Sequence, residues 1–240
     1  MLPTMRTRYQ IAFLTAALAV APKVTRCQTI SPVISEYQGH ADGSFQIRND
    51  TLQPFTVVLK PMSFSVDSNG EPTYRPLDPD VNLDLSAKSF RVAPRRQYTV
   101  FYKASGTHTP TWFTIYASII SNAHAGSMNI VLDLPHTVYL LDRETPSVND
   151  IVFRPGAEKD ATSNKLSVVV ENKSPEFTRV SEIEVSSATD KQTYPGFAFF
   201  PGQSRILHLD WTKSDPPKSI ELRFKKFSAV HSLPPDGTSP

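Results

Sequence analysis

Apolar and polar residues alternate with a period of two along most of this chain, and one stretch of that pattern is written twice. Ile47-Arg48-Asn49-Asp50-Thr51 runs through Pro54 into Phe55-Thr56-Val57, and Val170-Glu171-Asn172-Lys173-Ser174 runs through Pro175 into Phe177-Thr178-Arg179-Val180. Each copy is a strand-like run, an Asn turn with a hydroxyl residue two positions on, a proline, and a second strand-like run. Each is followed by a proline turn opening onto apolar residues, Ala93-Pro94-Arg95-Arg96-Gln97-Tyr98 in the first copy and Phe200-Pro201-Gly202-Gln203-Ser204-Arg205-Ile206 in the second. Two copies in one order predict two similar β-domains in tandem.

The remaining alternation fills in those domains. In the first, Phe45 and Ile47 point inward, Phe55, Val57 and Leu59 repeat the spacing, and Met62 to Val66 follows. Asp67-Ser68-Asn69-Gly70 is a hairpin signal because Asn-Gly readily adopts positive φ. Glu71 to Asp80 carries three prolines and reads as a loop or irregular edge. Thr111 to Ala117 is apolar on both faces and is expected to be central. Ser127 to Leu141 is expected to be the last strand, with Met128, Ile130, Leu132 and Leu134 on one face and Asn129, Val131 and Asp133 on the other. The second domain shows the same period at Leu166, Val168 and Val170, at Leu207, Leu209 and Trp211, and from Ile220 to Lys225. The fold class is therefore all-β, two tandem β-sandwiches. The expected boundaries are 29–141, a polar, proline-stiffened linker at 142–149, a second domain at 150–230, and a disordered tail at 231–240.

Residues 1–28 stand apart. Arg6 and Arg8 precede an apolar run from Ile11 to Ala21, too short to span a bilayer and laid out like a secretory signal peptide. Cys27 is the single cysteine of the 240 residues, so no disulfide scaffold is available and stability must come from burial. Lys+Arg 25 against Asp+Glu 23 leaves a formal charge of +2, with no basic stripe, which argues against nucleic acid. Pro 21 against Gly 9 fits stiff turns between strands.

Little here points to catalysis. There is no phosphate loop, no His-Glu-x-x-His and no nucleophile elbow. The histidines, 40, 108, 124, 136, 208 and 231, are scattered singly, so no metal or cofactor is expected. Asp78 and Asp80 flank Pro79 without further oxygen ligands nearby in sequence and read as a solvated loop. Arg95 and Arg96 read as turn charges.

In this order, five features resemble the periplasmic pilus-assembly chaperones, the PapD-like family. They are the opening Ile30-Ser31-Pro32 strand, the Asn49 turn with Pro54, Phe90 to Tyr98, Trp112 to Ala117, and the alternation from Met128. The resemblance spans about Thr29 to Val230. It implies two tandem immunoglobulin-like β-sandwich domains in a non-enzymatic periplasmic protein that caps incomplete pilin or fimbrial subunits by lending them a strand and delivers them to an outer-membrane usher. Met128, Ile130, Leu132 and Leu134 would be the donated side chains. The free protein would have an exposed edge, and self-dimerisation is expected to compete. The family grips its subunit's terminal carboxylate with an Arg in the first strand and a Lys at the end of the donor strand. Here Val33 and Thr137 occupy those places, and neither is charged. Thr137, His136 and Arg143 are the remaining cleft candidates. The alternative is a two-domain structural or adhesive envelope protein with no chaperone cycle.

Overall fold

The computed structural model describes residues 28–121, 131–154 and 165–233. The expected signal peptide lies outside them except for Gln28, which opens the first strand. The first sandwich holds β1 (Gln28–Ser31), β2 (Ile34–Gln38), β3 (His40–Asn49), β4 (Phe55–Val66), β5 (Pro72–Pro76), β6 (Val81–Leu85), β7 (Ser89–Val92), β8 (Gln97–Gly106), β9 (Thr111–Ser121) and β10 (Val131–Leu141). One sheet runs β1-β3-β8-β6; the other runs β2-β10-β9-β4-β5, with β7 also on β4. The second sandwich holds β11 (Ile151–Arg154), β12 (Lys165–Asn172), β13 (Thr178–Ser186), β14 (Lys191–Pro195), β15 (Ala198–Phe199), β16 (Ser204–Asp210), β17 (Ser219–Phe224) and β18 (Ser228–Ser232). Its sheets run β11-β12-β16 and β14-β13-β17-β18, with β15 on β13.

Each sandwich closes over the inward set of its alternation. Phe45, Ile47, Val57, Val100, Phe113, Ile115 and Leu140 lie in the first core; Val168, Val170, Phe199, Ile220 and Leu222 lie in the second. The sequence repeat has a structural cause. The Asn49 amide nitrogen donates to the carbonyls of Gln53, Val92 and Ala93 at 2.8, 3.2 and 3.1 Å, and its oxygen accepts from Thr51 N–H at 3.0 Å. Asn172 donates to Glu176 O and Phe200 O at 2.8 and 3.1 Å and accepts from Ser174 N–H at 3.1 Å. Both asparagines are fully buried. Each ties its own turn to the proline turn of the repeat and satisfies carbonyls that strand ladders leave over. The proline turns match in backbone as well: Arg95 has φ 59° and Gly202 φ 63°.

Two segments differ from expectation. The runs at 55–59 and 62–66 are one strand, β4, which crosses Pro61 without a break. Glu71 to Asp80 contains an edge strand, β5, with a proline at each end and every residue exposed. The Asp67–Gly70 turn forms as expected, with Gly70 at φ 90° and the Asp67 carboxylate accepting from Asn69 and Glu71 N–H at 2.9 and 2.8 Å. At the far end, β18 carries order to Ser232, two residues into the segment assigned to the tail.

The two sandwiches meet through an aromatic cluster. Phe64, Tyr139, Phe177 and Phe200 are buried together, with Trp112 and Leu141 packed against them. The β4–β5 hairpin is also held by the second sandwich: Ile206 N–H donates to Ser68 O at 2.7 Å, and the Gln203 side chain donates to Asp67 O at 3.0 Å.

Candidate functional site: the open edge of the last strand

β10 is paired along one side and only half paired along the other. It runs antiparallel to β9 from Val131↔Ile120 to Leu140↔Thr111. Its other side carries parallel β2 only from Thr137↔Ile34 to Leu141↔Gln38. The reason lies in β1, which pairs with β3 in the opposite sheet; the chain changes sheets at Pro32–Val33 and joins β10 only afterwards. Residues 131–136 are therefore left with an unpartnered outer edge among the described residues.

The side chains of β10 change role along its length. Leu140, Val138 and His136 are fully buried in the first core, Leu134 packs at its margin, and Leu132 is 36% exposed. One alternating stripe thus fills its own core at the C-terminal end and emerges from it at the other. Val131 on the opposite face is 56% exposed and lies across from Ile120, itself exposed. Met128 and Ile130, the first half of the expected donor set, lie outside the described residues.

The point where β2 takes over is pinned by consecutive residues of β10. The His136 ring nitrogen Nδ1 lies 2.7 Å from Pro32 O, and Thr137 N–H donates to Val33 O at 2.7 Å. A carbonyl only accepts, so Nδ1 carries the proton, and Nε2 accepts from the Tyr102 hydroxyl at 3.0 Å. Tyr102 is bonded in turn to Tyr37 at 3.0 Å, and the imidazole stacks on Phe45 with centroids 4.6 Å apart. Burial lowers the His136 pKa below its ordinary value, while burial and the Tyr37 bond push Tyr102 up. His136 is therefore a neutral core residue, which removes it from the set of cleft candidates.

The other two candidates also separate. Thr137 lies on the same side of β10 as Tyr139, with its hydroxyl 3.0 Å from that of Thr114. Arg143 stands exposed beyond the strand. The cation that does reach the cleft is Arg179 of β13. Its Nε donates to the Glu36 carboxylate at 2.9 Å, and the guanidinium lies 5.3 Å from the Tyr139 ring and 5.7 Å from that of Phe177. Its signal in the sequence is a charge after Phe177-Thr178, where Phe55-Thr56 of the first copy is followed by Val57. Asp78 is bound by Arg75 through two hydrogen bonds of 3.0 and 2.7 Å and held below the usual carboxylate range by that partner, as a surface loop requires. Among the described residues, no three His, Cys, Asp or Glu gather as a metal site would need.

An antiparallel sandwich pair with a sheet-switching first strand and a half-open last strand defines a particular class of immunoglobulin-like molecule. The chain has the PapD-like fold of the fimbrial chaperones. It is similar to the class 5 fimbriae chaperone CfaA, at 9% identity and TM-score 0.57, covering 87% of this chain and 100% of that one. The E. coli chaperone DraB is similar at 10% identity and TM-score 0.52, covering 87% and 98%. The structure of Salmonella enterica SafA pilin in complex with the SafB chaperone gives 13% identity and TM-score 0.53, covering 87% and 97%. No protein-family model matches the sequence, and no curated protein matches it. The likeness is one of fold.

Proposed function

We propose that this chain is a periplasmic chaperone that captures incomplete fimbrial subunits by lending them the open edge of β10, then releases them to an outer-membrane usher. The observation that carries this reading is the outer edge over 131–136, unpaired among the described residues, with an alternating apolar stripe leaving the core at Leu134 and Leu132. A subunit lacking its final strand exposes unpaired backbone groups and empty apolar pockets. A lent strand satisfies the first with its N–H and C=O groups and the second with every other side chain. The role is one of binding, with no chemical step. The structural relatives are fimbrial chaperones, and SafB stands in complex with a pilin; both support the same client class. The signal-peptide layout of residues 1–28 supports export to the compartment where such clients are met.

The test is co-purification from periplasm. The expected product is a one-to-one complex with a small subunit. Ile130→Asp and Leu132→Asp are expected to abolish it while leaving the fold intact, since Leu132 is already partly in water. Binding that survives both charges contradicts strand donation. The neutral residues Val33 and Thr137 favour a second reading, a structural or adhesive envelope protein that recognises folded surfaces.

A further inference from the structure

The outer edge of β10 is divided by a proline. Thr137 N–H donates to Val33 O at 2.7 Å, and Leu141 O accepts Gly39 N–H at 2.9 Å. The odd-numbered residues of β10 therefore turn their backbone groups away from β9, toward β2 and the open edge. Val131 and Asp133 present both a donor and an acceptor there, whereas Pro135 presents a carbonyl alone. β2 begins its pairing at Thr137, directly beyond that missing donor.

β4 repeats the arrangement. Leu59 N–H donates to Lys88 O at 2.9 Å, so Pro61, of the same parity, aims its absent donor to the same side. On that side β7 pairs with β4 as far as Val58 and β5 starts at Met62, which leaves Pro61 at the gap. In both strands a proline marks the position where a lateral partner stops.

We infer that Pro135 is the register stop for strand donation, confining β2 to 137–141 and ending the ladder with a client strand at Asp133. The inference rests on the strand-donation reading and adds where the shared ladder ends. A client residue brought opposite Pro135 finds no donor for its carbonyl and meets the pyrrolidine ring instead. Sliding the client further along β10 is thereby opposed, and the ladder is stable only from Asp133 toward the N-terminal end of the strand. Val33 and Thr137 are neutral, so neither supplies a charge to fix that register, and a backbone stop sets it without one. Edge prolines also guard free proteins against pairing with a second copy, and the experiment separates the two roles.

Pro135→Ala places an amide at the position in question, and amide hydrogen exchange followed by NMR reads it directly. In the free variant, amide 135 is expected to exchange as fast as those of Val131 and Asp133, while Thr137 and Tyr139 stay protected. In complex with the subunit that co-purifies with the wild-type chain, Val131 and Asp133 become protected in both proteins. In the variant, position 135 joins them, and the subunit dissociates about three- to tenfold more slowly, as one added backbone hydrogen bond implies. Should alanine leave Tyr116 too poorly packed for folding, Pro135→Val, which favours strands, reports on the same amide. Fast exchange at 135 in the complex, with an unchanged dissociation rate, overturns the stop. Protection of 135 already in the free variant also overturns it, since the proline then restrains only β2 or a second copy. If Val131 and Asp133 exchange freely in both complexes, strand donation itself fails, and the stop falls with it.

Discussion

Asn49 and Asn172 do the same work in the two sandwiches, and the sequence repeat exists because of it. Each fully buried amide bridges carbonyls of two turns, Gln53 with Val92 and Ala93 in the first sandwich and Glu176 with Phe200 in the second. Asn49→Ala and Asn172→Ala are each expected to cost about 2–3 kcal/mol in denaturant unfolding, since they orphan several buried polar groups. The paired proline turns make a contrast with one variable. Gly202 has φ 63° and open space around it, so Gly202→Ala should cost about 1 kcal/mol from backbone strain alone. Arg95 already bears that strain at φ 59°, and Arg95→Gly should be neutral or stabilising by about 0.5 kcal/mol. His136 makes stability pH-dependent. The unfolded chain protonates this imidazole near its ordinary pKa of 6.5, the folded one only at lower pH. Below 6.5 the unfolded state therefore binds more protons, and stability falls as pH drops through the interval down to the folded pKa, by up to about 1.4 kcal/mol per unit. Partial burial of His231 acts in the same direction. Urea unfolding between pH 7.5 and 5 should show the decline, and His136→Gln should flatten part of it. At this scale the Asn turn was legible because its spacing is local. The burial of His136 was not, because its partners Pro32 and Tyr102 come from strands distant in sequence.

Among the elements, β4 and β10 were each half legible. Period-two alternation located both, but it gave β4 as two successive runs, and the fold joins them across Pro61, which sits at the gap between β5 and β7. In β10 the stripe from Leu132 to Leu140 looked uniform in sequence. Only the sheet change at Pro32–Val33, a long-range event, decides which part is core and which is edge. The hairpin joining β4 to β5 carries a further consequence. A Cβ on Gly70 would fall 1.9 Å from the Arg205 guanidinium, which is stacked on Phe197 with its carbon 4.8 Å from the ring centre. Gly70→Ala is expected to destabilise by more than the roughly 1 kcal/mol of its positive φ. In an Arg205→Ala background that excess should vanish, a non-additivity measurable by a double-mutant cycle.

For the whole molecule, the two sandwiches were readable in the sequence, while the aromatic junction between them was not. Phe64, Tyr139, Phe177 and Phe200 come from strands and turns distant in sequence, and only the folded arrangement gathers them. Phe200→Ala should cost about 3–4 kcal/mol and broaden the distribution of inter-domain angles seen by small-angle scattering. Breaking the partly exposed Arg179–Glu36 pair should cost less than about 1 kcal/mol. The asymmetry assigns rigidity to the aromatic cluster rather than to the charge pair. The central claim is that β10 supplies a strand the client lacks, and the most direct measurement is a paired pull-down. A strand-deficient fimbrial subunit and the same subunit already carrying its complementing strand are offered to this chain at equal concentration. Strand donation predicts capture of the deficient subunit and no capture of the complemented one; equal capture of both would contradict it.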